Sequence, residues 1–278
     1  MTEVRLSYLV CATQRSGSTL MCELLKATGV AGLPLEYFEA MRDTGIPPHP
    51  GDFLHGLPST RLGIRDDPRP PDAPAYSSLA GLTDYRQHLE RTFAQGTTPN
   101  GVFGAKLMFN QLVELHALAE PLPEFSGLEI GALLERLFGS PRYIWVSRRD
   151  VVRQAVSMWK AIQTRTWRDG DGDESVTPQY QFDAIDHLVR RFQDDERGWD
   201  NFFSRHGVEP LRIAYEDELV ANRDGTVRRV LDWLGVSPAP GWHAEEPLRR
   251  QADTDSDDWV AAYHRDRDAA QHPVPQFT

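Results

Sequence analysis

The chain has 278 residues, with 30 Lys+Arg against 41 Asp+Glu, a formal net charge of −11 and a 40% hydrophobic content. That apolar content can fill a sizeable core, which excludes global disorder, and the acidic total excludes non-specific nucleic-acid binding while leaving room for a local basic pocket. No run approaches the roughly 18 apolar residues that span a bilayer, and two cysteines, Cys11 and Cys22, are too few for a disulfide scaffold or an unaided zinc site.

Met1 to Ser7 carries Glu3 and Arg5 and lacks the apolar core of a secretory leader, so the expectation is a cytoplasmic protein without a membrane span. Tyr8 to Ala12 is a short apolar run of the kind a buried parallel strand makes. The polar turn Thr13-Gln14-Arg15-Ser16-Gly17 follows, then Ser18 to Ala27, where Leu20, Leu24 and Ala27 share a helical face and Gly29 marks the stop. Residues 43–81 are rich in Pro and Gly and read as an irregular insertion. Helices are expected over Leu82–Ala94 and Leu128–Phe138, with a strand at Gly101–Met108 between them. A third strand, Arg142–Val146, leads through Ser147-Arg148-Arg149-Asp150 into a helix ending near Gln163. A loop at Asp169–Ser175 precedes a long amphipathic helix from about Gln179 to Arg205, then a strand at Leu211–Tyr215 and a helix near Thr226–Leu234. Alternating strands and helices predict an α/β protein, a parallel sheet flanked by helices on both faces. Without an obvious linker, residues 1–278 read as a single domain carrying that Pro-rich insertion.

Ligands in such folds gather at the carboxyl ends of the strands, where Gln14-Arg15-Ser16-Gly17-Ser18-Thr19 lies. Gly17 permits close backbone approach, helix-start amides favour an anion, Arg15 adds positive charge and the hydroxyls add donors. A nucleotide triphosphatase needs G-x-x-x-x-G-K-[ST] for phosphates and Mg²⁺, and no Gly-Lys-Ser/Thr occurs in the chain. A sulfonate donor fits better, because it needs no bridging metal. Arg148 and Arg149 leave the third strand and Ser157 lies about two helical turns further on, a set suited to a second phosphate.

These stretches resemble the 5′-phosphosulfate loop (Gln14 to Leu20), the 3′-phosphate motif (Arg148 or Arg149, with Ser157) and a later strand end (Ile213 to Asp217) of sulfotransferases that use 3′-phosphoadenylyl sulfate (PAPS). Tyr8–Phe38, Gly101–Gln111, Tyr143–Trp167 and Arg250–Tyr263 are similar, more narrowly, to the bacterial trehalose 2-sulfotransferase family. The resemblance implies a fold related to phosphate-loop proteins, PAPS as sulfonyl donor without a metal, a carbohydrate acceptor such as trehalose, and a homodimer. The general pattern has Pro shortly after its 3′-phosphate Arg, where Arg149 stands here. Spacing to Ser157 favours Arg149 as ligand and the Arg-x-Asp arrangement favours Arg148, so both remain candidates.

Glu36, alone among apolar neighbours after Pro34, is a carboxylate that desolvation would make basic enough to deprotonate an alcohol. The resemblance gives it the general-base role. Lys106, at the end of the second strand, is expected to balance charge on the leaving phosphate beside Arg15. Asn110 and Gln111 are candidate sugar ligands, Trp167 a candidate stacking platform, and Arg250 a further phosphate ligand. The alternatives are a metal-dependent nucleotide kinase and a non-catalytic nucleotide- or carbohydrate-binding module.

Overall fold

The computed structural model describes residues 3–39, 53, 54, 57, 84–167, 176–244 and 254–271. The Pro-rich insertion, apart from Phe53, Leu54 and Leu57, falls outside the described residues, as do the 169–175 loop and Arg250.

The chain divides into two compact units. The first comprises Met1–Pro48, Pro70–Arg149 and Asp195–Pro247. Among its described residues are four strands, β1 (Leu6–Ala12), β2 (Val102–Met108), β3 (Arg142–Ser147) and β4 (Leu211–Ala214), in the order β2-β1-β3-β4. All pairs are parallel, with Ala12 level with both Met108 and Val146, and Ser147 level with Ala214. The loops after all four strands therefore leave the same end of the sheet.

Side chains alternate along each strand, and both faces are covered. Leu9 and Cys11 of β1, Phe103, Ala105 and Leu107 of β2, and Tyr143 and Trp145 of β3 enter one core. It is closed by α2 (Tyr85–Gly96), α3 (Phe109–Ala119), α4 (Ile130–Phe138) and the aromatic residues Trp199, Phe202 and Phe203. Tyr8, Val10, Ile144, Val146 and Ile213 enter the opposite core, under α1 (Ser18–Ala27) and residues Val227, Val230, Leu231 and Leu234. The expected parallel sheet with helices on both faces is thus observed.

The second unit comprises His49–Arg69, Asp150–Asp194 and Leu248–Thr278. Its helix α5 (Val151–Thr164) starts where the Asp150 carboxylate accepts the Arg153 N–H at 2.8 Å, and it packs on a C-terminal helix, Thr254–Gln271. Arg153 also pairs with Asp257 at 2.5 Å, which raises its pKa, and Trp159 is fully buried with its indole N–H on the Gln179 carbonyl. The long helix α6 (Phe182–His206) begins in this unit and its residues from Asp195 onward belong to the first. In the first unit α7 (Arg223–Leu234) follows a π-helical turn, Tyr215–Val220; the C-terminal helix of the second unit, Thr254–Gln271, is α8.

Candidate active site

The connection from β1 leads to β2 on one side and that from β3 to β4 on the other. The carboxyl ends of β1 and β3 therefore form a topological switch point, the crevice where open α/β sheets take ligands. The loop 13–17 lies on one lip of it and Arg148 on the other. They meet: Arg148 Nη1 donates to the Arg15 carbonyl at 3.1 Å.

The loop is held in a costly shape. Arg15 has φ 61° and Gly17 φ 91°, and a left-handed non-glycine persists only where its surroundings hold it. Tyr215 lies against Gly17, where a Cβ would stand 2.2 Å from Tyr215 Cδ2. The Arg148 guanidinium lies 5.0 Å from the Tyr215 ring centroid, so ring and guanidinium together buttress the turn. Among the described residues no side chain caps α1, and its first intrahelical bond runs from the Met21 N–H to the Gly17 carbonyl. The amides of Ser18, Thr19 and Leu20 thus have no acceptor within the helix. Ser16 is buried and its Oγ has no hydrogen-bond partner among the described residues. Such a loop can hold a tetrahedral anion.

Beside it lies a pair of charges. Residues 32–36 run along the free edge of β2, with Leu35 bridged in parallel to Ala105 and its carbonyl accepting the Lys106 N–H at 2.9 Å. Gly32 makes this approach possible, since a Cβ there would stand 2.6 Å from the Gly104 nitrogen. The run delivers Glu36 to Lys106: Nζ lies 2.5 Å from Glu36 Oε1, with side-chain exposures of 5% and 26%. Gln111 Nε2 donates to Glu36 Oε2 at 3.1 Å, and Gln111 is itself fixed because its Oε1 accepts the Met108 N–H at 3.0 Å. Ammonium and amide both stabilise the carboxylate as an anion, which opposes the gain in basicity expected from desolvation alone. Lys106 Nζ also donates to Thr19 Oγ1 at 3.0 Å, and Gln14 Nε2 donates to Asn110 Oδ1 at 3.1 Å. Glu36, Lys106, Gln111 and Thr19 thus form one connected group, with Gln14 and Asn110 as a separate pair. A carboxylate that can take a proton stands one lysine away from a loop that can hold an anion.

The two arginines after β3 differ. Arg148 is 12% exposed and faces the loop and Tyr215, with Glu216 3.6 Å from its Nε. Arg149 is 70% exposed and pairs with Asp217, while its backbone N–H donates to Glu216. Ser157 is half-buried on α5 of the second unit, where Trp167 lies 5.0 Å from Phe53, ring to ring.

The chain matches the Stf0 sulphotransferase family over residues 7–266. It belongs to that family. A trehalose 2-sulfotransferase of Mycobacterium tuberculosis (strain ATCC 35801 / TMC 107 / Erdman) is 41% identical over 263 residues, 92% of this chain and 93% of the relative. Another trehalose 2-sulfotransferase, from Mycolicibacterium smegmatis (strain ATCC 700084 / mc(2)155), is 39% identical over 269 residues, 96% of this chain and 97% of the relative.

In this Stf0 member, three residues that motif reading passes over also touch the loop or the end of β1 that leads into it. Tyr215 stood in the β4 stretch without a role. Glu196 accepts from Thr13 Oγ1 at 3.2 Å and Trp199 Nε1 donates to the Ala12 carbonyl at 2.9 Å. The last two sit in a long amphipathic helix whose sequence gives no sign of what its faces meet. Burial pushes the Cys22 thiol up to about 12 and raises that of Cys11 as well, so both stay protonated, buried packing groups near neutral pH.

Proposed function

We propose that the chain transfers the sulfonyl group of 3′-phosphoadenylyl sulfate to trehalose, at the 2-position, with Glu36 as general base. The observation that carries this is Glu36 held by Lys106 and Gln111 beside Thr19 of the loop. The trehalose acceptor is supported by the names of the two relatives. The buried Ser16 hydroxyl, the uncapped start of α1 and the glycine cradle at Gly17 suit the phosphosulfate end of such a donor.

When bound, the donor supplies an electrophilic sulfur with a phosphate leaving group. Glu36 takes the proton of the acceptor hydroxyl as its oxygen bonds to sulfur and the sulfur–phosphate oxygen bond breaks. Lys106, Arg15 and the first amides of α1 stabilise the charge left on the phosphate, the role of a preorganised electrostatic site. Gln111 aims the carboxylate, and Asn110 holds Gln14 and offers an amide to a sugar hydroxyl. Gln14, Ser16, Gly17, Ser18 and Thr19 line the phosphosulfate end. The resemblance assigns the 3′-phosphate to Arg148 or Arg149 with Ser157, further phosphate contact to Arg250 and stacking to Trp167. A homodimer and a cytoplasmic location belong to the same reading.

The test is mass spectrometry of products after incubating the protein, PAPS and trehalose beside other disaccharides. The expected product is trehalose heavier by one sulfonyl group; an unmodified panel would overturn the reading. Arg15→Ala should weaken calorimetric binding of adenosine 3′,5′-bisphosphate, and wild-type affinity would count against the loop.

A further inference from the structure

α6 sends two side chains to the root of the loop. Glu196 and Trp199 are three residues apart and share a helix face. They meet consecutive residues, Thr13 through its hydroxyl and Ala12 through its carbonyl. Thr13 is fully buried, and its carbonyl accepts the Ser16 N–H at 3.4 Å, closing the turn that carries Arg15. Trp199 is an ordinary anchor. Glu196 is an odd one: a carboxylate stationed behind a loop that leads into helix-start amides open to an anion.

The groups that act on Glu196 come from α6 itself, the loop, β3 and β4. Asp195 adds a like charge from α6, and the Thr13 hydroxyl faces it from the loop. Trp145 faces it from β3. Arg212 of β4 opposes Asp195, but it is shared with Asp200 at 3.2 Å and lies over the Trp145 ring at 4.3 Å. Burial outweighs the Thr13 hydrogen bond and pushes the Glu196 carboxyl up to about 7.

We propose that Glu196 is a positioning residue for the loop and takes up a proton when the donor nucleotide binds. The inference rests on the donor reading above. A phosphate entering the loop disfavours the charged carboxylate behind it. By linkage, the proton then favours the phosphate by the same factor. The Thr13 hydroxyl can donate to the carboxylate or accept from the carboxylic acid, so the root of the loop stays tied while the opposing charge is removed.

The experiment is calorimetric titration of the whole chain with adenosine 3′,5′-bisphosphate, in buffers of different ionisation enthalpy, for wild type and Glu196→Gln. The nucleotide's own titration cancels in the difference. If binding raises the carboxyl by about one unit, wild type takes up about half a proton more than the variant near pH 7.5. Relative to the variant, its affinity should then gain roughly six-fold from pH 8.5 to 6.5. Equal proton uptake overturns the role of Glu196, because a merely structural glutamate shifts affinity alike at every pH. Thr13→Val is the second variant: it removes a bond to the charged form, so the pH window of uptake should move upward, and an unmoved window also overturns the proposal. Failure of the wild type to bind the nucleotide would overturn the donor reading itself; binding with equal uptake would overturn Glu196 alone.

Discussion

Two ion pairs stand at the carboxyl ends of strands in one sheet, and burial separates them. Lys106 and Glu36 are 5% and 26% exposed and are held further by Thr19 and Gln111; Arg149 and Asp217 are 70% and 44% exposed. Taking charges out of water costs several kcal/mol, on the order of what their attraction returns, so a buried pair persists only where added hydrogen bonds complete it. An exposed pair forms wherever two long side chains meet and contributes about 0–1 kcal/mol. Opposite charges at a strand end therefore mean little until desolvation and secondary partners are counted.

Lys106→Met strands a mostly buried carboxylate and should cost about 3 kcal/mol in denaturant unfolding. Adding Glu36→Gln should recover part of that loss, since it removes the stranded charge. A Lys106→Met no more costly than Arg149→Ala would end the distinction.

Gly17→Ala tests the loop beside the buried pair. It places a side chain at φ 91° with Cβ 2.2 Å from Tyr215, and it should cost about 2 kcal/mol and weaken nucleotide binding. Tyr215→Ala in that background should relieve the collision and leave the backbone strain.

Glu196 is a half-buried carboxylate that makes no ion pair among the described residues. Its carboxyl stands raised from 4.5 to about 7, so its contribution to stability is complete below pH 4.5 and is lost as pH rises through about 7. Glu196→Gln should therefore match wild type near pH 4 and exceed it at pH 8, by an amount below the roughly 3 kcal/mol that the full shift would give, because solvent reaches this half-buried carboxylate. The smallest effect is Arg149→Ala, below about 1 kcal/mol in stability and smaller still in high salt.

The sequence announces what is local. The apolar run into β1, the polar turn and the face of Leu20, Leu24 and Ala27 foretell strand, loop and helix, and β1 and α1 stand there. Caps moved the boundaries: α2 starts at Tyr85 rather than Leu82 because Asp84 accepts the Gln87 N–H, and α7 starts at Arg223 because Asn222 accepts the Gly225 N–H. α3 was not foreseen, for it starts directly after β2 without a breaking residue, and its start is satisfied by Gln111. α8, polar on most positions, was not foreseen either.

At the site, Glu36 and Lys106 were named one by one, but their pairing is non-local. It depends on a segment beside β2 that only the fold brings there. Arg148 and Arg149 are indistinguishable as adjacent letters and acquire different surroundings only once Tyr215 and Asp217 flank them. Glu196 left no local signal, because nothing in an amphipathic helix tells which acid will lie against a loop root.

The central claim is that Glu36 removes the acceptor's proton while other residues hold the donor. Single-turnover transfer from radiolabelled PAPS to trehalose, wild type against Glu36→Gln, tests it most directly when read beside calorimetric binding of adenosine 3′,5′-bisphosphate. The account predicts a rate lower by about 10²–10⁴ with nucleotide affinity within about two-fold of wild type. An undiminished rate at saturating donor and trehalose would contradict it.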